Sequence, residues 1–556
     1  MRNKMLLLTV ISLLSFMPAG AQSWTKKAAK SVFTLKTFDD KGTLLGSAGG
    51  FYVGTNGECV SNFEPFRGAS RAIIIDAQGK EWPVEYLLGA NGTYDVAKFR
   101  VAARKTTPLP IAATAAAEGT TLWLLPYLNT KDCPSGTVRK AETFMGDYQY
   151  YTIALPSSAE AVGCPLLNAG GEVVGLMQAP AVAGDTLSYA VSARYADSLR
   201  ITGLSLGDAT LQSTKIKKDL PATPDQALLM LYVASGSTDS TAYATLVDDF
   251  IRKFPQEPDG YFYRAQLHTQ AFRFGDADND MAQALKVTKK ADETHYNYSS
   301  LIYNKVIYLA DHPYEPWTLD KALDEAREAE RLNPLDAYRH QQAVILYAQK
   351  KFQDAYDVYA SLFQGQLRSA ELFFEASRCR EQLKDSAGVL ALLDSCVATF
   401  SRPYLKEAAP YLLVRAQARR ENGRYREAMA DLNDYEQLMA ATVNDQFYYL
   451  RHQVAIGARQ YQQALNDIER AITMQPQNDL YYSEKASLQV RVGLYDEAME
   501  TARQCIAIAP EHSDGYLFLG LAQCLKGNKK EGVANLTKAK ELGDPQADEL
   551  IEKYGK

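Results

Sequence analysis

Chemistry in this chain of 556 residues would have to come from three short stretches. The stretch 61-SNFE-64 offers Glu64, and 94-YDVAKFRV-101 offers Asp95. The third, 159-AEAVGCPLLNAGGEVVGL-176, offers the thiol of Cys164, two residues past Val162. Two carboxylates held together can share a proton and act as acid and base, and such a pair can also hold a hard cation. A Cys nucleophile needs a lowered pKa or a basic partner. That partner is missing nearby: the six His residues, at 268, 295, 312, 340, 452 and 512, all lie beyond residue 267. A carboxylate such as Glu64 beside the thiol would raise its pKa. Plainer readings stand beside these: Cys164 as a small buried residue in a turn, Glu64 as a solvent-facing side chain, and Asp95 as an acceptor of separate hydrogen bonds.

The elements that would position these residues are strands. Between 24 and 205, short apolar runs alternate with turn signals, as in 31-SVFTLKTF-38, 49-GGFYVG-54, 72-AIIIDAQGKEWPVEYLLG-89, 96-VAKFRV-101, 121-TLWLLPY-127, 149-QYYTIAL-155, 172-EVVGLMQA-179 and 187-LSYAVS-192. Strands this short and this closely spaced predict a barrel or sandwich. The polar stretch 206–222 reads as a linker.

From 223 onward the pattern is helical and repeats. A small residue recurs at Ala277, Ala322, Ala355, Gly388, Ala428, Ala464, Ala498 and Gly532, at intervals of 45, 33, 33, 40, 36, 34 and 34. A second small residue stands twelve positions earlier in several units, at Ala265, Ala343, Ala376, Ala416, Ala486 and Gly520. Pro334, Pro476 and Pro510 close units twelve positions later, where a Pro cannot continue the helix. Antiparallel helices approach closely only where the facing side chains are small. A period near 34 resembles the tetratricopeptide repeat, over about 300 residues. The resemblance implies an all-α superhelical solenoid over 223–556 that binds protein or peptide partners in a concave groove. The repeats that bind acidic chaperone tails use Lys and Asn in that groove. Here the residues expected near it, Phe262, Tyr449, Ser483 and Leu517, do not fit that class. Tyr261, Tyr448, Tyr482 and Tyr516 recur at one position, which reads as packing between helices. The stretch 538–556 reads as a final capping helix.

Residues 24–205 resemble trypsin-like serine proteases of the bacterial quality-control type. Four pieces carry the resemblance, in order: 46-GSAGGFYVGTNGECVSN-62, 94-YDVAKFRV-101, 162-VGCPLLNAGGEVVGL-176 and 188-SYAVS-192. It implies an all-β double barrel with a base, a supporting carboxylate, a nucleophile and an oxyanion hole made of backbone N–H groups. Position by position, the base falls on Glu64, the carboxylate on Asp95 and the nucleophile on Val162, which has no nucleophilic atom. Two of three members are replaced, and a slipped alignment cannot help, because 24–205 contains no His. Cys164 stands where a second Gly would allow close backbone approach, which puts the oxyanion hole in question as well.

The N-terminus reads as a signal peptide over 1–21. Arg2 and Lys4 precede the apolar run 5-MLLLTVISLLSFM-17, and 19-AGA-21 offers a cleavage site. No Cys follows, so a lipid anchor is not expected. The expected location is a periplasm, with secretion as the alternative. A net charge of −6 argues against nucleic acid as a partner. With seven Cys and no CxxC, at least one thiol stays unpaired. The pairs Cys379 with Cys396 and Cys505 with Cys524 fall on neighbouring helices, as disulfides or as buried small residues. No cofactor or metal is expected. Three functions stay open: an adaptor with an inactive barrel, an unconventional endopeptidase, and a spacer whose repeats alone bind, in an envelope complex or otherwise. The sequence does not fix the oligomeric state.

Overall fold

The computed structural model describes residues 24–555 except 129–131, 157, 181, 183 and 237–238. The expected signal peptide lies outside the described residues. The chain divides into two compact units, Met1–Thr288 and Lys289–Lys556.

The first unit holds two closed antiparallel barrels, preceded by a short helix α1 (Thr25–Ala28). Barrel one comprises β1 (Val32–Phe38), β2 (Leu44–Tyr52), β3 (Glu58–Ser61), β4 (Arg71–Asp76), β5 (Glu81–Asn91) and β6 (Val96–Val101), in the order β1-β2-β3-β6-β5-β4. Barrel two comprises β7 (Thr121–Leu124), β8 (Ser135–Phe144), β9 (Tyr148–Ala154), β10 (Pro165–Leu167), β11 (Val173–Met177) and β12 (Ser188–Ser192), in the order β10-β11-β12-β9-β8-β7. Side chains alternate along β1, where Phe33, Leu35 and Thr37 are buried and Thr34, Lys36 and Phe38 stand partly open, whereas β11 is buried throughout. A third cluster, including Phe51, Val60, Val96, Leu125, Leu176 and Val191, packs one barrel against the other.

The polar segment 206–222 is docked on barrel one. It opens with the short α2 (Ala209–Gln212) and then runs beside β5, where Leu87 N–H donates to Lys217 C=O at 2.7 Å and Asp219 N–H to Leu87 C=O at 2.9 Å. Leu211, Ile216 and Leu220 are each at most 5 % exposed. Through them the core of barrel one continues into α3 (Pro224–Ser235) and α4 (Ser240–Lys253), at Met230, Leu231 and Phe250. Leu211, Ile216 and Leu220 stand four or five residues apart among polar ones, and the overall polarity of the stretch conceals them. The unit closes with α5 (Pro258–Gln270) and α6 (Phe274–Val287).

The second unit is all α. Its helices pair in antiparallel fashion: α7 (Ala291–Tyr308) with α8 (Leu319–Leu332), α9 (Asp336–Ala348) with α10 (Phe352–Ser361), α11 (Ala370–Gln382) with α12 (Ser386–Val397), and α13 (Ala409–Glu421) with α14 (Tyr425–Met439). Three more pairs follow: α15 (Asp445–Gly457) with α16 (Tyr461–Met474), α17 (Asp479–Arg491) with α18 (Tyr495–Ile508), and α19 (Ser513–Leu525) with α20 (Lys529–Glu541). The 45-residue interval in the repeat reflects the longer α7 and the loop after it, where Trp317 is 3 % exposed. The recurring small residues at Ala322, Ala355, Ala428, Ala464 and Ala498 are fully buried. The last helix, α21 (Ala547–Tyr554), is shorter than expected, because α20 runs to Glu541 and Gly543, at φ +91°, turns the chain between them. No helix among the described residues is long and apolar enough to cross a membrane.

Two of the residues expected near the groove are not there. Ser483 and Leu517 are 4 % and 3 % exposed, and Leu517 lies under α21 with Leu550 and Ile551. Tyr449 does stand partly open, its hydroxyl on Glu484 at 3.1 Å. Of the recurring tyrosines, Tyr448 is 7 % exposed, and the hydroxyls of Tyr261 and Tyr482 donate to the carbonyls of Pro255 and Pro476, six residues back, at 3.1 and 3.2 Å.

Cys379, Cys396, Cys505 and Cys524 are buried thiols, as are Cys59 and Cys164. Burial lifts Cys396 to about 12 and Cys379 and Cys505 to about 11. Cys524 packs against Gly532, and the Cys505 thiol faces the Asp479 carbonyl at 3.5 Å. A thiol-reactive dye should therefore modify the native chain at Cys133 alone and reach all seven after unfolding. Fewer than seven after unfolding would mean a disulfide is present.

Candidate functional site

The stretch 61-SNFEPF-66 follows β3 and is anchored by aromatic burial. Phe63 and Phe66 are fully buried, and Phe66 meets Phe99 edge-on at 5.2 Å. Pro65 helps set the 3-10 turn Glu64–Phe66 between them. With both neighbouring rings turned inward, Glu64 points outward, its side chain 66 % exposed and paired with Arg67 at 2.8 Å.

Asp95 sits at the turn before β6 with φ +50°, in the left-handed region. Its carboxylate accepts from the Glu64 backbone N–H at 2.7 Å and from Asn62 Nδ2 at 2.7 Å. The structure thus brings Glu64 and Asp95 together through the Glu64 backbone, with the Glu64 carboxylate engaged elsewhere. A shared-proton dyad does not form. Among the described residues no cluster of three or more His, Cys, Asp or Glu is placed to hold a metal ion.

Val162 follows the 3-10 turn Ala159–Ala161, on the loop into β10. Its carbonyl accepts from Gly49 N–H of barrel one at 2.7 Å. Gly163 then takes φ +81°, and a Cβ there would stand 2.1 Å from the Gly49 carbonyl oxygen. The Ser61 hydroxyl donates to that same oxygen at 2.7 Å. The loop of barrel two is therefore held directly on β2 of barrel one.

In the enzymes resembled, the oxyanion is held by the N–H groups of the nucleophile and of the residue two before it. Here those belong to Val162 and Glu160. Glu160 N–H donates to Ser158 Oγ at 3.2 Å, and Val162 N–H reaches the Ala159 carbonyl at 3.4 Å. Both donors serve their own turn. Cys164 is fully buried and tied to the same turn: its thiol faces the Glu160 carbonyl at 3.6 Å and its N–H donates to the Ala161 carbonyl at 3.0 Å. Burial lifts its pKa to about 12, so the reactive thiolate is scarce at neutral pH.

Sequence reading did not foresee the aromatic wall beside Asp95. Tyr94 stacks on Phe144 at 4.2 Å, and Tyr195 meets Tyr94 and Tyr148 edge-on at 5.3 and 5.2 Å. Phe144 and Tyr148 flank the β8–β9 turn, and β8 is too polar to read as a strand. Grafting the missing groups as Glu64→His with Val162→Ser should yield no hydrolysis of a fluorogenic peptide above the unaltered chain. Losing even one oxyanion donor costs about 10²–10³ in rate. Turnover by the double variant would show that the N–H groups are available after all.

Residues 42–176 match the family profile of the trypsin-like peptidase domain, and residues 481–512 match the tetratricopeptide repeat. Among curated proteins, the small glutamine-rich tetratricopeptide repeat-containing protein 2 of Saccharomyces cerevisiae is 28 % identical over 99 residues, 18 % of this chain and 29 % of that protein. Its namesake from Mycosarcoma maydis is 30 % identical over 99 residues, 18 % of this chain and 28 % of that one. The chain thus spans less than a third of these relatives. Among solved structures, the inactive form of the Rv3671c protease from M. tuberculosis is 19 % identical, covering 34 % of this chain and 96 % of that one with a TM-score of 0.27. The serine endoprotease from Yersinia pestis is 16 % identical, covering 33 % and 65 % with a TM-score of 0.29.

Proposed function

We propose that this chain, a trypsin-like peptidase domain joined to tetratricopeptide repeats, is an exported adaptor whose barrel no longer performs hydrolysis. One observation carries the reading: the two N–H groups that would stabilise an oxyanion are bonded within the Ser158–Val162 turn. It is supported by a nucleophile position held by Val162 and by a base position whose Glu64 side chain turns away to Arg67. Binding and transition-state stabilisation are separate demands, so a barrel without the second can keep the first. Protein binding falls naturally to the repeats, where α11 and α13 flank a cavity of about 320 Å³ lined in part by Phe374, Ser377, Val414 and Gln417. The signal-like N-terminus supports a periplasmic setting for this work, with secretion as the alternative.

Deleting the barrels is a poor test, since the core of barrel one runs into α3 and α4. Site-specific photo-crosslinking in the whole chain avoids this. A crosslinker at exposed Gln417 should capture a protein partner in the native envelope. The same partner captured from exposed Glu64 would make the barrel a recognition module as well. No partner from either position would overturn the adaptor reading.

A further inference from the structure

A cavity of about 590 Å³ lies where the docked segment 213–220 meets α3 and α4, apart from the Glu64–Asp95–Val162 site. That volume suits a small organic ligand. Its charged lining is Arg100, Arg200 and Lys253 against a single acid, Asp219. Leu88, Ile201 and Leu220 supply apolar wall.

The acid is already engaged. Lys253 Nζ holds both Asp219 oxygens at 3.2 Å and also donates to the Leu220 carbonyl at 2.7 Å. Arg100 stands 3.9 Å from Asp219 and 3.5 Å from Glu58, and its buried Nε has no hydrogen-bond partner. Arg200 is exposed at the rim, and none of the ion pairs found involves it. Of the three basic residues in the wall, Arg200 is thus the one outside the ion pairs found among the described residues. The start of α3 opens on the same space through Thr223 and Gln226, with no side-chain cap on its first turn; Pro224 there has no N–H, which leaves those of Asp225 and Gln226. Asp225 in that turn is the one acid working against an anion there. Backbone N–H groups at a helix start and a planar guanidinium both favour carboxylate or phosphate oxygens.

We propose that this cavity binds a ligand with an anionic head and an apolar body, as the free carboxylate end of a peptide provides. The head would meet Arg100, Arg200 and the first turn of α3, and the body would lie on Leu88, Ile201 and Leu220. The site is independent of the adaptor reading, and either can fail alone.

The test is calorimetric titration of the whole mature protein with the tripeptide acetyl-Ala-Val-Leu, as free acid and as amide, with inorganic phosphate as competitor. The free acid should bind at least about tenfold more tightly than the amide, because charge-assisted hydrogen bonds are lost with the carboxylate. Arg200→Gln should weaken the acid by about the same factor, and Arg200→Lys should keep part of it. Since Arg200 is exposed, neither change threatens the fold. Phosphate that binds in the tripeptide's place, and is itself weakened by Arg200→Gln, would uphold the anion site and identify an inorganic or phosphorylated occupant. Equal binding of acid and amide, indifference to Arg200→Gln, or no binding of either probe would overturn the proposal.

Discussion

Arg451→Met should cost the helical unit about 3–5 kcal/mol of stability, read as a lower urea midpoint by circular dichroism. Arg451 on α15 is 2 % exposed and Asp467 on α16 is fully buried. The guanidinium grips that carboxylate with Nε at 3.0 Å and Nη2 at 2.7 Å. Its remaining nitrogen reaches Glu436 on α14, which Arg470 also holds at 2.7 Å. Removing the Arg side chain leaves the buried Asp467 charge with only Gln463 Nε2, at 3.0 Å, among the side-chain donors found for it. Replacing both partners by apolar residues of similar volume, as Arg451→Met with Asp467→Leu, should recover most of the loss, because the pair itself is worth little against its desolvation. A loss under about 1 kcal/mol in the single variant would contradict a buried charge pair, since that is the range of exposed ones.

Gly163→Ala should destabilise the barrel unit by about 3 kcal/mol or more, from two effects that add. The left-handed backbone at φ +81° costs a non-Gly residue on the order of 1 kcal/mol. The new methyl would also stand 2.1 Å from the Gly49 carbonyl oxygen. The backbone cannot retreat easily, since Gly163 N–H is fixed to Met177 C=O at 3.0 Å and Val162 C=O to Gly49 N–H at 2.7 Å. Gly42→Ala separates the effects: Gly42 also has φ +81°, but nothing lies within 4 Å of its added Cβ. It should show the backbone cost alone. Equal losses for the two variants would mean that the Gly49–Gly163 contact does not hold the barrels together.

The two variants mark what was legible in the sequence. The glycine at 163 could be read, because a turn resembling a protease loop has few residue choices. The strand pattern was equally clear wherever apolar residues alternate. It failed at β3, β8 and β10, where the strands are short or, as in 135-SGTVRKAETF-144, carry more polar than apolar residues. The ion pairs between paired helices were missed although a signal existed. Arg264 with Asp280, Arg415 with Asp431 and Arg451 with Asp467 all stand 16 residues apart, linking the first helix of a repeat to the second. A search for small residues alone passes over that charge period.

The site was legible in its losses. The absence of His and the Val at 162 follow from residue types. The outward turn of Glu64 depends on Phe63 and Phe66 entering the barrel core, which is packing rather than spacing. The use of Glu160 and Val162 N–H groups within one turn is a backbone property that no residue type declares.

The most direct test of the central claim is hydrolysis by the unaltered protein. Fluorescein-labelled casein and a fluorophosphonate serine probe would be offered to repurified protein, with heat-unfolded protein as control. The account predicts neither cleavage nor labelling above the control. Cleavage that co-purifies with the chain and is abolished by Cys164→Ala or Ser158→Ala would contradict it, and would show the barrel to be an enzyme.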